Sequence, residues 1–529
     1  MIIKELFESS KSKINGKYIH WILFSLILVI GIFARTWEFR TLPNGLLSDE
    51  ASIGVDSYYI GKFGIDRNGV SFPMEFTAFG QEQNVLYGYL LVPFIEIGGL
   101  KADIIRLPML IFAILTLPLL YFVARRVFDK QLGLLSMFFL AISPWHIMLA
   151  RIALDQNLLP LVFTLGFAFI LMAIKDNKWI IPSFILFALC FYIYGPSYFI
   201  VPFFLATSLF ALIKKNLIRK KFMLIGTGCF GVLSIPIALF IIVNTFGLNS
   251  IHIGLVTIPR MPSQARFLSE TGGLHSQLIP TLLGNLWTLL KLLMGQTDGL
   301  IYNAFEPYGY FYKVTFPIAL IGMFLLWQQQ KSENDAQKYM LFCWLSGCLI
   351  FGVLQPININ RLNSIFIPLI LCVALGVDWI GKNLKPLYIV AICGFLIAFI
   401  SFTIDYHGQN YRTMADYKFH AGFLSAIQFA SKVTDGQLCI TDETDQPYIY
   451  VLFLEKPTPA SYLSSVQYTT STDELRHVES FLRYTFGRAN CVNQPNTVYI
   501  LRADEGEPKT GIKYSRNIYY DYYVYYPKP

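Results

Sequence analysis

Apolar runs of membrane-spanning length recur along the chain as far as residue 404. About 20 apolar residues in a helix match the hydrocarbon thickness of a bilayer. Of the 529 residues, 54% are hydrophobic and 14% charged, with a mean hydropathy of +0.50, so a soluble fold would have too little polar surface to enclose these runs. The expected fold class is a polytopic α-helical membrane protein with about eleven transmembrane helices. The net charge of +8 falls largely in short clusters between apolar runs, the pattern of cytoplasmic loops rather than of a nucleic-acid-binding surface.

The charge clusters set the topology. Residues 1–17 carry Lys4, Lys11, Lys13 and Lys17 and are expected in the cytoplasm; Tyr18 to Ala34 then forms the first span. No A-x-A-like site follows it, so a cleaved signal peptide is not expected. A first external loop covers 35–103. Within it, Asn84 to Gly99 is apolar, but counting it as a span would put Arg125 and Arg126 outside, so it is expected to lie along the outer interface. Further spans are expected at 104–123, 132–149, 158–174, 179–194, 196–213 and 222–243. After a long external loop, 245–310, come 311–327, 339–354, 364–380 and 389–404. Domain one is thus 1–404, and every sizeable polar segment after the N-terminus faces out.

Residues 405–529 are expected to form a small extracytoplasmic α/β domain. Helices are expected at 421–432, 447–454 and 472–484, and strands at 437–441, 497–502 and 512–519, with a further tyrosine-rich strand at 519–526. Cys439 and Cys491 lie in this region and can pair or remain buried thiols. No CxxC occurs among the eight cysteines.

Candidate chemistry lies at the outer mouth of the bundle. Asp49 and Glu50 sit in the first external loop, Asp155 in a short outer turn with Arg151, and Arg361 in another, among Asn358, Asn360 and Asn363. Charges held this close to a membrane are costly unless paired or used. An acid beside a guanidinium suits general-base catalysis next to an anion clamp. Asp155 is either a second acid or the cap of the following helix. His146 is expected to be a satisfied histidine within the bundle, and Arg106 to orient a helix at the interface. There is no Walker loop, no GxGxxG after a strand, and no cytoplasmic segment large enough for a nucleotide. An activated donor used outside the cell would therefore arrive on a lipid, which favours a polyprenyl phosphate.

The run Leu42-Pro43-Asn44-Gly45-Leu46-Leu47-Ser48-Asp49-Glu50-Ala51, with Gly54-Val55-Asp56, resembles the first external loop of bacterial GT-C class integral-membrane glycosyltransferases, relatives of the protein O-mannosyltransferases and the lipid A aminoarabinose transferases. Arg106-Leu107-Pro108, Ser143-Pro144-Trp145-His146-Ile147 with Arg151-Ile152-Ala153, and Asn360-Arg361-Leu362-Asn363 are similar to that family in the same order. The resemblance implies inverting transfer of a sugar from a polyprenyl-phosphate carrier to a glycan, lipid or protein acceptor on the outer side of the cytoplasmic membrane. Asp49 would be the general base, and Glu50 would orient it or contact the sugar. Arg361 would bind the donor phosphate, helped by Arg151 or Arg260. Where the family commonly has a basic or proline-containing run, this chain has Gly80-Gln81-Glu82-Gln83-Asn84. No DxD occurs in the external loops, so no cofactor or catalytic metal is expected. A transporter or flippase of lipid-linked sugars is the alternative; it predicts charges at mid-span and related halves, neither of which the sequence shows. A non-catalytic scaffold would leave the clustered acids and arginines unexplained.

Overall fold

The computed structural model describes residues 2–262, 278–331, 335–469, 475–492 and 496–528. The chain is a polytopic helical membrane protein with a β-rich C-terminal part. Among the described residues, nine helices are long and apolar enough to cross a membrane. In chain order the first ten helices are α1 (Ile2–Thr36), α2 (Ser48–Phe63), α3 (Leu86–Gly98), α4 (Ala102–Val127), α5 (Lys130–Ile142), α6 (Pro144–Leu149), α7 (Leu159–Ala173), α8 (Ile180–Leu189), α9 (Ser197–Lys214) and α10 (Lys220–Thr245). The helices Leu278–Gly295, Thr315–Gln329, Ala336–Leu354, Phe366–Asn383 and Lys385–Tyr406 complete the bundle.

Three of the expected spans are shorter as helices. The run expected over 132–149 breaks at Ser143, whose side chain caps α6 by accepting from the His146 N–H, with Pro144 opening the new helix. The run over 179–194 is α8 followed by a 3-10 turn, Cys190–Tyr192, and the run over 311–327 is the 15-residue helix Thr315–Gln329. At 13 residues, α3 is too short to cross a bilayer, and it packs beside α2 and α4.

One long helix, Leu278–Gly295, falls inside the expected external loop 245–310. Its apolar content alone would suit a span. Yet Asn285 Nδ2 donates to the Val353 carbonyl near the end of Ala336–Leu354, and the Gln296 carbonyl accepts from Tyr310 N–H. At the other end of the segment, the Thr257 carbonyl accepts from Met74 N–H. These bonds tie the described parts of the link from α10 to Thr315–Gln329 to the end of Ala336–Leu354, to Tyr310 and to the 68–77 loop. Residues 263–277 of this expected loop, which include Arg266, Glu270 and His275, lie outside the described residues.

Phe366–Asn383 is buried along most of its length and packs on Thr315–Gln329, α5 and Lys385–Tyr406. Two glycines allow the closest of these approaches. A Cβ on Gly322 would lie 1.8 Å from the Cys372 carbonyl oxygen, and one on Gly376 would lie 2.4 Å from that of Ile318. Small residues that let backbones touch are the usual means of helix association in lipid.

The C-terminal part contains a seven-stranded sheet. Four earlier strands form two hairpins, β1 (Phe76–Ala78) with β2 (Gln81–Gln83) and β3 (Ile251–Ile253) with β4 (Val256–Ile258); the strands of the sheet are β5 (Leu438–Ile440), β6 (Gln467–Tyr468), β7 (Val478–Phe481), β8 (Tyr484–Phe486), β9 (Val498–Arg502), β10 (Tyr514–Tyr519) and β11 (Tyr522–Pro527), in the spatial order β10-β11-β9-β5-β8-β7-β6. β5 pairs in parallel with β8 and β9, and the other pairs are antiparallel. Phe423–Val433 and Pro447–Glu455 are helices, and Cys439 and Cys491 form a disulfide with a Cα separation of 5.8 Å. The helix expected at 472–484 is corrected: from residue 478 this stretch is the β7–β8 hairpin. Val478, Phe481, Tyr484 and Phe486 are buried there, and apolar residues of strong β propensity follow the sheet once it supplies partners.

Gly322→Ala is expected to push the two helices apart and cost about 1–3 kcal/mol. A melting temperature in detergent equal to that of the unmodified protein would refute the tight crossing.

Candidate active site

The two adjacent carboxylates face different ways because neighbouring residues on a helix project about 100° apart. Glu50 is fully buried and Asp49 is exposed. Arg106, in the first turns of α4, grips Glu50 at both oxygens, from Nε at 2.7 Å and from Nη2 at 2.6 Å. Glu50 also accepts from Ala153 N–H at 2.8 Å and Leu47 N–H at 3.2 Å. The remaining donors of Arg106 go to the carbonyls of Pro43 and Gly45. This carboxylate is thus enclosed by donors, which suits it to hold α2, α4 and the 150–157 turn in register. Of the two roles expected for Glu50, orienting Asp49 or contacting the sugar, its burial and bidentate pairing suit the first.

Asp49 opens into a cavity of about 530 Å³ that Asp155 and Arg361 also line. The strand pair Phe76–Ala78 and Gln81–Gln83 supplies Ala78, Phe79, Glu82 and Gln83 to one wall. Gln83 is held by Ser52 Oγ at 2.9 Å and reaches the Asp49 carbonyl at 3.4 Å. Phe199, Phe240, Ile241 and Phe351 form an apolar wall toward the helices. Asp155 accepts from the Asn84 and Gln156 N–H groups at the start of a 3-10 turn that precedes α7. Arg361 donates from Nη1 to the Pro356 carbonyl at 2.8 Å, and Asn358 Oδ1 accepts from its backbone N–H. Two of the recognised motifs meet here: Trp145 Nε1 donates to Asn363 Oδ1, and Asn363 Nδ2 donates to the Gln156 carbonyl.

Arg151 and Arg260 are not among the residues lining this cavity. Arg151 is fully buried, and its guanidinium donates to the carbonyls of Ala34, Trp37 and Leu42, closing the end of α1. Arg260 lines a separate cleft. His146 is buried, with its Nδ1 2.7 Å from Arg35 Nη2. Among the described residues, no three His, Cys, Asp or Glu side chains come together as a metal-binding group.

Sequence reasoning missed Glu75. It is fully buried, and Asn84 links it to Asp155: Asn84 Nδ2 donates to Glu75 Oε1 at 3.0 Å, and Asn84 N–H donates to Asp155 Oδ2 at 3.2 Å. Burial, with the charges of Glu82 and Asp155 adding to it, drives the Glu75 carboxyl well above the ordinary glutamate range, while Asn84 and Tyr198 oppose the shift. A lone glutamate in a polar loop carries no periodic signal. A clue was the -Phe79-Gly80-Gln81- step between two short runs, where Phe79 and Gly80 both take positive φ in the turn.

The C-terminal part braces the loop that carries Asp49. Ser48 Oγ donates to Asp445 Oδ2, Tyr450 OH to the Leu46 carbonyl, Tyr59 OH to the Pro457 carbonyl, and Arg476 N–H to the Phe79 carbonyl.

Two outcomes follow for stability. Arg106→Ala leaves the buried Glu50 carboxylate without its cation and is expected to cost about 3–5 kcal/mol. Arg40→Ala, which removes a partner of Asp103 that is itself 83% exposed, should leave the melting temperature nearly unchanged; equal effects of the two would refute the anchor. Glu75 is the second case. Its folded-state pKa is raised, so its contribution is present at low pH and lost as pH rises above the ordinary value of 4.5. Melting curves of the unmodified protein should therefore fall against those of Glu75→Gln as pH rises; parallel curves would contradict a protonated Glu75.

Residues 83–241 match the family described as dolichyl-phosphate-mannose-protein mannosyltransferase. Comparison with curated proteins gives no match by sequence. Among solved structures, the chain is similar to ArnT from Cupriavidus metallidurans bound to undecaprenyl phosphate, with a TM-score of 0.55 and 14% identity over 97% of this chain and 98% of that one. It is also similar to the oligosaccharyltransferase of Archaeoglobus fulgidus, with a TM-score of 0.51 and 14% identity over 84% of this chain; the chain spans 64% of that protein's length. The chain therefore has the fold of the GT-C membrane glycosyltransferases, and its segment 83–241 carries the sequence pattern of their mannosyltransferase family.

Proposed function

We propose that the protein is an inverting glycosyltransferase that moves a sugar from a polyprenyl-phosphate carrier to an acceptor on the outer side of the cytoplasmic membrane. The observation that carries this reading is that Asp49, Asp155 and Arg361, far apart in sequence, line one cavity of about 530 Å³. That size is typical of small-molecule sites. The similarity to ArnT bound to undecaprenyl phosphate, over nearly the whole of both chains, supports a lipid-linked donor. The aromatic wall of Phe199, Phe240 and Phe351 suits the isoprenoid tail, which can stay in lipid while the phosphate and sugar enter the polar part.

The chemistry follows from the placement. Asp49 takes the proton from the acceptor hydroxyl as its oxygen attacks the anomeric carbon in line. The bond from that carbon to the phosphate oxygen breaks on the opposite face, which inverts the configuration, and its electron pair goes to the departing polyprenyl phosphate. Arg361 stabilises the charge that grows there. Asp155 faces the same space and is held by two backbone N–H groups, so it can receive sugar hydroxyls.

The test is to incubate purified protein with a panel of radiolabelled polyprenyl-phosphate sugars and follow donor consumption. Asp49→Asn is expected to fold normally and lose roughly 10²–10⁴-fold in rate. Arg361→Ala should lose about 10²–10³-fold. Full activity in the Asn variant would remove Asp49 as base, and unchanged donor use in the Ala variant would remove the clamp.

A further inference from the structure

A second cleft, of about 600 Å³, lies between the 68–77 loop, the hairpin Ile251–Ile258 that follows α10, and the C-terminal part. Its lining includes Arg260 and Arg476 and, among the described residues, no aspartate or glutamate. Both arginines are exposed. The guanidinium of Arg476 lies over the Tyr468 ring, 3.4 Å from its centroid. The backbone N–H of Arg260 is fixed by Ser250 Oγ at 3.0 Å. Asn68, Ser71, Ser250 and Thr257 add amide and hydroxyl groups, and His252 Nδ1 lies 3.1 Å from Thr257 Oγ1. The polarity is thus opposite to that of the first cavity, where Asp49, Glu82 and Asp155 stand against Arg361.

The two spaces share a wall. Thr77 lines the cleft and Ala78 lines the cavity, because successive residues of a strand point to opposite sides. Arg476 also holds this wall, through its N–H on the Phe79 carbonyl. The cleft and the cavity therefore lie on opposite faces of the Phe76–Ala78 strand.

We propose that this cleft binds the acceptor of the reaction proposed above, and that the acceptor is an anionic saccharide, its carboxylate or phosphate group held by Arg260 and Arg476. Guanidinium groups bind both anions through paired N–H donors, and the surrounding hydroxyls and amides suit sugar hydroxyls. None of its lining residues belongs to a helix long and apolar enough to cross a membrane. An acidic peptide would satisfy the charge but would not use the hydroxyl-rich lining.

The test uses the full-length protein in detergent with tetragalacturonate, its neutral methyl ester and tetra-aspartate as probes, read by calorimetry. Tetragalacturonate should bind, its methyl ester should bind at least tenfold more weakly, and affinity should fall as salt rises. Arg260→Gln and Arg476→Gln should each weaken binding roughly tenfold at an unchanged melting temperature. Asp49→Asn should leave it intact, which separates failure of the cleft from failure of the transfer reaction in the donor panel. No binding, equal binding of acid and ester, tetragalacturonate binding of unmodified strength in the double variant, or tighter binding of tetra-aspartate would each overturn the proposal.

Discussion

The Glu50–Arg106 pair is the interaction on which the rest of the site depends. Taking two charges out of water is expensive, and the cost is recovered only when geometry and additional hydrogen bonds are good. Here the guanidinium meets both carboxylate oxygens, and two backbone N–H groups complete the shell. Such a pair adds little net stability over an apolar substitute, but it tolerates very few arrangements of its neighbours. It fixes the rotation of α2 about its axis, and with it the direction in which Asp49 points.

From that fixed point the site is assembled by loops. Ala153 brings in the turn that carries Asp155, and Asn84 joins that turn to the buried Glu75. Asn363 joins it to the Arg361 loop through the Gln156 carbonyl. The C-terminal part holds the other side, through Asp445 on Ser48 and Tyr450 on the Leu46 carbonyl. All but the Asn84–Glu75 link join segments distant in sequence, and together they hold the walls of the cavity. Loops placed on a rigid helical scaffold are a common way to build a polar site beside a membrane.

How much of this was legible in the sequence depended on the range of the forces involved. Helices such as α4, α9, α10 and Lys385–Tyr406 were plain because each carries its own apolar content, and the bilayer demands a helix wherever that content is long enough. The helix Leu278–Gly295 was not, since it lies inside a stretch whose polar residues on both sides read as one loop, and its bonds to the bundle through Asn285 and the adjoining Gln296 form only on folding. The β7–β8 hairpin was mistaken for a helix because its partner strands lie elsewhere in the chain. Among the site residues, Asp49, Asp155 and Arg361 were singled out as charges kept at the mouth of the bundle, Asp49 and Arg361 also as parts of recognisable motifs, and all three line one space. Arg151 gave the same signal and lies elsewhere, as does Arg260, named with it as a helper, because proximity to the membrane surface says nothing of position around the bundle.

By itself, then, the sequence determined that this is a helical membrane protein with acids and arginines gathered at helix ends, since hydropathy and charge act locally and need no partner. Tertiary structure alone decided which carboxylate is buried, which arginine faces the cavity and that Glu75 stands behind it. Those outcomes depend on desolvation and hydrogen bonding between distant segments, and neither is defined until the chain has folded.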